Sequence, residues 1–224
     1  MTDATRSPAD RQPDAAVFDA VLFDMDGTLV DSTRAVEIAW DRFLREEGLD
    51  PDLPKSHGVP SHAQVEEVLP PERWAEAKAR YDAIELETTE GVVAFPGIAD
   101  LLAGLGSRWT IVTSCSRALA LVRLAAAGLS APDRMVTVDD VTHGKPDPEP
   151  FARGAAVMGT TPRRCLAVED APAGLASARS AGCTTLGVAS THPLAALDAD
   201  TTVAALTDVG LAAEPAGVRL TRTA

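Results

Sequence analysis

The sequence is poor in cysteine and has no long apolar run, and both shortages exclude classes of protein. Its 224 residues include three cysteines, Cys115, Cys165 and Cys183, an odd number without the paired spacing of a metal site. Such usage is typical of a reducing compartment without structural disulfides. No apolar stretch reaches the roughly 18 to 20 residues that span a bilayer, and the first residues lack the apolar segment of a signal peptide. We therefore expect a cytoplasmic protein that does not cross a membrane.

Positive charge is scarce as well. Lysine and arginine number 20 against 33 aspartates and glutamates, which gives a formal net charge of -13. This balance argues against non-specific binding to nucleic acid or to an anionic membrane, and a phosphorylated ligand would need local positive charge. A hydrophobic content of 46% is enough for a sizeable core. We expect a globular monomer or small homo-oligomer, with either one domain carrying an insertion or two unequal domains.

Short runs of valine, isoleucine and leucine recur along the chain with helical segments between them. This alternation is typical of parallel strands covered by helices on both faces, and it predicts a doubly wound α/β sheet. One connecting helix, predicted over residues 117–127, is apolar nearly all round, so we expect it to be buried. The predicted strands cover residues 17–23, 109–112, 134–138, 165–168, 185–188 and 202–206.

One interval, residues 32–94, lacks a strong strand signal. Its amphipathic pieces, 33–47 and 71–87, predict a helical unit inserted after the first strand. An insertion at that point lies over the carboxyl ends of the strands, where open α/β sheets bind ligands, and could act as a lid. The predicted division is a disordered segment (1–16), an α/β core domain (17–31 and 95–212), a helical cap domain (32–94) and a C-terminal tail (213–224).

Two aspartates follow the first predicted strand, in the stretch VLFDMDGT. Residues i and i+2 of an extended segment project to the same side, so Asp24 and Asp26 can address one site, and Gly27 lets the backbone turn away. Carboxylates this close repel each other unless a cation or a shared proton lies between them. An Asx turn is the alternative for an isolated motif of this kind, but the apolar strand before it favours a functional site.

Polar residues also follow the next predicted strands. Thr113 and Ser114 come after the strand at 109–112, where hydroxyls and free amides at a helix start can bind an anion; ordinary helix capping is the alternative. Lys145 stands next to Pro146 in GKPDP, so a stiff backbone can hold its ammonium against a phosphate oxygen or an aspartate. A surface turn with a solvated lysine is the alternative for Lys145.

Glu169 and Asp170 end the strand at 165–168. Asp170 suits a helix N-cap with Pro172 in the first turn, but capping leaves Glu169 unexplained. Carboxylates at a strand end are typical ligands of a hard cation, and an oxygen-rich, six-coordinate site suits Mg²⁺. Four polar strand ends in this order favour one shared site over four separate turns.

The four motifs, DMDGT, TSCS, GKPDP and VEDAPAG, resemble those of the haloacid dehalogenase-like phosphohydrolases, in the branch with a helical cap after the first motif. The resemblance covers residues 18–206. It implies Asp24 as nucleophile and Asp26 as general acid/base, with the main-chain carbonyl of Asp26 also binding Mg²⁺. It further implies Asp170 as a metal ligand assisted by Glu169.

The same resemblance implies Lys145 as the phosphate-binding lysine and either Thr113 or Ser114 as the phosphate-binding hydroxyl. The segments DSTRAVEIAW, HGVPS and TTEGVVAFPG are similar to those of sugar, polyol and glycerol-phosphate phosphatases, which act on small phosphorylated metabolites. In that group His57 of the HG segment is a candidate for contact with substrate hydroxyls or phosphate, and a solvated loop histidine is the alternative.

Two other activities remain as alternatives. The β-phosphoglucomutases carry a histidine four residues after an Asp-Ser or Asp-Thr pair, whereas Asp31-Ser32 is followed here by Val36, which favours phosphoryl transfer to water. A non-catalytic module that binds phosphorylated ligands is the second, although such proteins usually lack the nucleophile or a metal carboxylate. The retained Asp26 argues against a dehalogenase, which lacks this residue.

Overall fold

The computed structural model describes residues 16–53 and 61–222. Within these ranges the chain forms eleven strands and seven α-helices, joined by short 3-10 turns. The elements in chain order are β1 (Val17–Phe18), β2 (Ala20–Phe23), β3 (Val30–Asp31), α1 (Thr33–Glu47), α2 (Ser61–Val68), α3 (Trp74–Glu87), β4 (Val93–Ala94), α4 (Ile98–Leu105), β5 (Trp109–Val112), α5 (Arg117–Ala126), β6 (Met135–Val136), α6 (Glu149–Val157), β7 (Cys165–Glu169), α7 (Pro172–Ala181), β8 (Thr184–Val188), β9 (Thr201–Val203), β10 (Val209–Glu214) and β11 (Gly217–Arg222).

The central sheet has six parallel strands in the order β6-β5-β2-β7-β8-β9. Side chains of β2 alternate between two cores: Val21 and Phe23 pack with α4 and α5, whereas Leu22 packs with Phe151 of α6 on the opposite face. A strand buried on both faces must be apolar throughout, which is why its residues form a continuous apolar run. The predicted doubly wound α/β sheet is confirmed.

The predicted strand at 17–23 is two strands, divided at Asp19. The Asp19 carboxylate turns outward to accept hydrogen bonds from Thr160 and Arg164, and only β2 enters the parallel sheet. β1 instead pairs with β11. The predicted tail from 213 is therefore wrong, because β10 and β11 form a hairpin whose Val218 and Leu220 join the main core.

Three other predictions differ in extent. The strands predicted at 134–138 and 202–206 are reduced to β6 and β9, the first because the chain after Thr137 closes into a turn on the Asp140 side chain. The prediction that the helix at 117–127 is buried is correct for only part of its surface. α5 covers the core with one face only, and Leu121 on the other face is 46% exposed.

The inserted segment forms a helical unit, residues 32–53 and 61–94, with a small hydrophobic core of its own. α1 has the predicted bounds, and a 3-10 turn followed by α3 fills the predicted helix at 71–87. The Trp40, Phe43 and Tyr81 rings pack together with centroids 5.2–5.5 Å apart. The chain enters and leaves this unit through the antiparallel pair β3–β4.

Apart from the C-terminal tail, the domain boundaries given above stay a prediction. Residues 1–15 of the predicted N-terminal segment lie outside the described residues, whereas Ala16 packs against the main core. Within the described parts of the chain, no helix combines the length and the apolar character needed to cross a bilayer.

Candidate active site

The carboxyl ends of three neighbouring strands, β5, β2 and β7, open into one cavity of about 470 Å³ beside the helical unit. Asp24 follows β2, Thr113 follows β5, and Glu169 ends β7 directly before Asp170. Because parallel neighbours end at the same edge of a sheet, residues far apart in sequence meet there. All four side chains line the cavity together with Lys145.

Lys145 lies at the centre of the site. Its Nζ donates hydrogen bonds to Asp24 Oδ1 at 2.6 Å, to Glu169 Oε1 at 2.6 Å and to the Val112 carbonyl at 2.9 Å. Burial lowers the pKa of Lys145, but the Asp24 and Glu169 carboxylates outweigh it, so the net shift is upward and the ammonium stays charged. The side chain is only 7% exposed, so the surface-turn alternative is wrong.

Three buried carboxylates gather around this lysine. One oxygen from each of Asp24, Glu169 and Asp170 lies within 4.8 Å of the others. Burial raises the pKa of Asp24 well above its usual value, although Lys145 pulls it down. Burial, followed by the charge of Glu169, raises the pKa of Asp170 to about 7. The negative charge thus exceeds what one ammonium balances, and an oxygen donor set of this kind fits a divalent cation such as Mg²⁺. We name Asp24, Lys145, Glu169 and Asp170 the strand-end cluster.

The supporting contacts fix the cluster's carboxylates. Thr28 Oγ1 donates to Asp170 Oδ1 at 3.3 Å, and Thr191 donates to Oδ2. Gly27 has a φ of +86°, and a Cβ there would come within 2.2 Å of Asp170 Oδ2. Glycine at position 27 therefore allows both the positive φ of the turn and the close approach of the Asp170 carboxylate to the backbone.

Glu169 is held in the same way. Its Oε2 accepts the backbone N–H groups of Asp170 and Ala171, both at 3.1 Å, while Oε1 accepts from Lys145. A Cβ on Gly174 of α7 would lie 1.7 Å from Glu169 Oε1. Both oxygens of Glu169 therefore accept hydrogen bonds, Oε2 from the backbone and Oε1 from Lys145. The second of these contacts orients the Lys145 ammonium.

The capping alternatives do not account for these residues. α7 has Ala171 at its N-cap and no side-chain cap, so Asp170 does not cap that helix. α5 is capped by Ser116, whose Oγ accepts the Leu119 N–H at 3.3 Å. Thr113 and Ser114 are thus not needed as caps.

The two candidate hydroxyls differ in exposure. Thr113 is buried and its Oγ1 accepts the Cys115 N–H at 3.1 Å, whereas Ser114 is exposed; both line the cavity. His57 lies outside the described residues.

Asp26 has partners that the sequence reasoning missed. The Cys115 thiol donates to its Oδ2 at 3.0 Å, and Arg123 Nη1 lies 3.0 Å from Oδ1. Nη2 of the same guanidinium pairs with Glu85 of α3 at 2.8 Å. The sequence did contain a signal for this contact. After its first residue, α5 has one arginine, Arg123, among apolar residues, and burial of an arginine is costly unless a partner of opposite charge faces it. We name Asp26, Arg123 and Glu85 the arginine bridge.

The chain is similar to known enzymes over most of its length. It is 42% identical to hexitol phosphatase A of Escherichia coli over 175 residues, 75% of this chain and 81% of that protein. It is 31% identical to 2-deoxyglucose-6-phosphate phosphatase 2 of Saccharomyces cerevisiae over 222 residues, 86% of this chain and 90% of that protein.

A solved structure of a hydrolase from Pseudomonas syringae matches with a TM-score of 0.68 and 26% identity, covering 83% of this chain and 91% of the other. The family model described as haloacid dehalogenase-like hydrolase matches residues 21–188, a range that begins in β2 and ends with β8 and so holds the whole strand-end cluster. The chain belongs to the haloacid dehalogenase-like hydrolases, as its four motifs predicted.

Proposed function

We propose that this phosphoric monoester hydrolase removes phosphate from a small sugar or polyol phosphate, depends on Mg²⁺ and forms an aspartyl-phosphate on Asp24. The observation that carries the proposal is the strand-end cluster. A buried, charged Lys145 lies 2.6 Å from the Asp24 oxygen, among carboxylates whose oxygens are close enough to share one cation. The relatives described above are named for hexitol and 2-deoxyglucose-6-phosphate substrates, which supports the substrate class.

Asp24, Asp170 and the main-chain carbonyl of Asp26 would hold the metal, with Glu169 assisting from beside Lys145. When bound, Mg²⁺ neutralises the nucleophile and the phosphate dianion, which would otherwise repel each other. Lys145 and the hydroxyl of Thr113 or Ser114 would balance charge on the transferring phosphoryl group, where most of the catalysis of such transfers resides.

The proposed reaction has two steps on one carboxylate. An Asp24 oxygen attacks phosphorus and the bond to the leaving oxygen breaks, while Asp26 gives that oxygen a proton. Asp26 is then a carboxylate and takes a proton from the water that attacks the aspartyl-phosphate, which releases phosphate and restores Asp24. Proton transfer of this kind typically contributes about 10² to 10⁴ in rate.

The helical unit would act as the cap that selects the leaving group. Its contribution to the cavity lining includes Val36, Gln64 and the hydrogen-bonded pair of His62 and Asp82, whose Nε2 and Oδ1 atoms are 2.7 Å apart. Polar groups of this kind suit a leaving group rich in hydroxyls. His57, which lies outside the described residues, stays a candidate for a further contact with the substrate.

The test compares wild type with Asp24→Asn, which keeps the shape of the side chain and removes the nucleophile. The substrates are p-nitrophenyl phosphate and a panel of hexitol, sugar and glycerol phosphates, each with Mg²⁺ and with EDTA. We expect phosphate release by wild type with Mg²⁺ alone, and a loss of at least about 10³-fold in Asp24→Asn. Asp198→Asn, at an exposed carboxylate paired with Arg179, is the matched control and should keep wild-type activity.

Other outcomes separate the alternatives. Equal phosphate release by wild type and Asp24→Asn contradicts the nucleophile assignment. No release by wild type from any substrate, despite ligand binding, favours the binding module. Conversion of β-glucose 1-phosphate to glucose 6-phosphate without free phosphate favours the phosphotransferase.

A further inference from the structure

We propose that Arg123 positions the proposed acid/base Asp26, and that Glu85 on the helical unit holds Arg123 in place, so that protonation of the leaving group depends on the docked helical unit. The proposal rests on the function proposed above and adds two residues to it. Neither Arg123 nor Glu85 belongs to the four motifs, and each comes from a different part of the fold: Arg123 from α5 beside the sheet, Glu85 from α3.

The geometry makes Arg123 a connector between these parts. Its guanidinium lies 3.0 Å from Asp26 Oδ1 through Nη1 and 2.8 Å from Glu85 Oε1 through Nη2. Nη1 also donates to the Cys115 sulfur at 3.3 Å. One rigid, planar group therefore touches the loop after β2, the loop after β5 and the helical unit at the same time.

Burial restricts the guanidinium to this arrangement. Arg123 is 4% exposed and Glu85 is 3% exposed. A charged side chain this deep loses its hydration, so it is stable only against partners of opposite charge. Arg123 therefore cannot turn into solvent while the helical unit is docked, and Asp26 is held on a fixed support.

The two carboxylate oxygens of Asp26 have different partners. Oδ2 accepts the Cys115 thiol, whereas Oδ1, although ion-paired, makes no hydrogen bond to any described residue. Burial, followed by the Asp26 charge, raises the pKa of the Cys115 thiol, so the sulfur keeps its proton and acts as the donor. Oδ1 is closed off from the cavity against Arg123, so the proton for the leaving group is carried on Oδ2, which has a second lone pair beside the one that faces Cys115.

The consequence is that Arg123 affects both proton transfers of Asp26, and only the first of them, to the leaving group, differs between substrates. An alkoxide leaving group departs from phosphorus with a proton from Asp26, whereas p-nitrophenolate is stable enough to leave without one. The value of kcat/KM reports the steps up to departure of the leaving group. It therefore distinguishes a substrate whose leaving group needs a proton from one whose leaving group does not. A residue with a purely structural role would lower both values equally.

The experiment measures kcat/KM for a hexitol phosphate and for p-nitrophenyl phosphate in wild type and in Arg123→Met. We expect a loss of about 10- to 100-fold with the hexitol phosphate and of less than about 3-fold with the aryl ester. Arg123→Lys keeps the charge without the fork and should recover part of the loss. Glu85→Gln should change the same ratio in the same direction by a smaller factor, since Arg123 remains present.

Further variants keep the test decisive. Arg123→Met leaves Glu85 buried without its arginine, so the double variant Arg123→Met/Glu85→Gln is measured beside it in case the single variant fails to fold. Arg80→Met, which removes an exposed ion pair with Glu46 in the helical unit, is the matched control and should not change the ratio. Equal losses for both substrates in folded variants would overturn the proposal. Retained activity in Asp24→Asn in the same assay would instead indicate that the proposed function itself is wrong.

Discussion

The strand-end cluster and the arginine bridge flank the same short loop, yet they are built differently. The cluster comes from strand ends and the loops beside them, where parallel strands place backbone and side chains in register. The bridge depends on one side-chain pair between α5 and the separately packed helical unit. In the proposed function, the residues of phosphoryl transfer therefore lie on the sheet, and the residues that adapt the reaction to its leaving group lie at an interface.

This comparison predicts that changes in the cluster abolish turnover on every substrate, whereas changes in the helical unit alter substrate preference and local stability. Four substitutions test it, in order of decreasing effect.

Lys145→Met should have the largest effect. It removes the ammonium that lies 2.6 Å from both Asp24 and Glu169, so two buried carboxylates lose their partner and the phosphoryl group loses a positive charge. We expect kcat to fall by about 10³-fold on hexitol and aryl phosphates alike. Steady-state kinetics on both substrates is the measurement, with circular dichroism to verify folding. A loss confined to one substrate would break the distinction between cluster and bridge.

Trp40→Ala should come next and should act on the helical unit alone. Trp40 is fully buried between Phe43 and Tyr81, and its removal should cost about 3 to 5 kcal/mol of the free energy of unfolding of that unit. Urea unfolding followed by near-UV circular dichroism measures this. Mg²⁺ affinity, which we assign to the cluster in the proposed function, should stay within a few-fold of wild type. Leu121→Ala, at an exposed site, is the control with little expected change. Parallel loss of Mg²⁺ binding in Trp40→Ala would mean that the two regions unfold as one.

Gly174→Ala tests how tightly the cluster is packed. The new methyl group would overlap Glu169, whose Oε1 lies 1.7 Å from the Cβ position, so the carboxylate must move away from Lys145. We expect a destabilisation of roughly 1 to 3 kcal/mol and a clear loss of kcat. Gly104→Ala in α4 is the matched control, since nothing lies within 4 Å of its Cβ position and alanine favours helix by about 1 kcal/mol. Normal activity in Gly174→Ala would show that Glu169 does not need its observed position.

Asp19→Asn should have the smallest effect, because Asp19 precedes β2 and so lies at the end of that strand away from the site. Hydrogen bonds from Arg164 and Thr160 lower the pKa of Asp19 from 3.8 to about 2. The ionised carboxylate therefore stabilises the fold above about pH 4, and this contribution is lost as pH falls toward 2. We expect a urea midpoint lower by about 0.3 M at pH 7, and no difference from wild type near pH 2. A difference in urea midpoint between Asp19→Asn and wild type that is larger at low pH than at neutral pH would contradict this assignment.

The sequence by itself determined the sheet and the cluster. An apolar run such as that at 165–168 predicts a strand because a strand buried on both faces must be apolar throughout. A polar residue directly after such a run predicts the end of the strand. Asp24 and Asp170 follow their strands at once, so local sequence places each of them at the same edge. The helix bounds at 33–47 were equally local, set by amphipathic periodicity.

Only the tertiary structure decided the division of the first strand at Asp19, the hairpin after Val209 and the arginine bridge. Each depends on a partner far along the chain: Arg164 for Asp19, β1 for the hairpin and Glu85 for Arg123. The physical reason is that a buried charge or an edge strand gains its stability from whichever group the fold brings opposite to it, and no periodicity in the neighbouring sequence records that group.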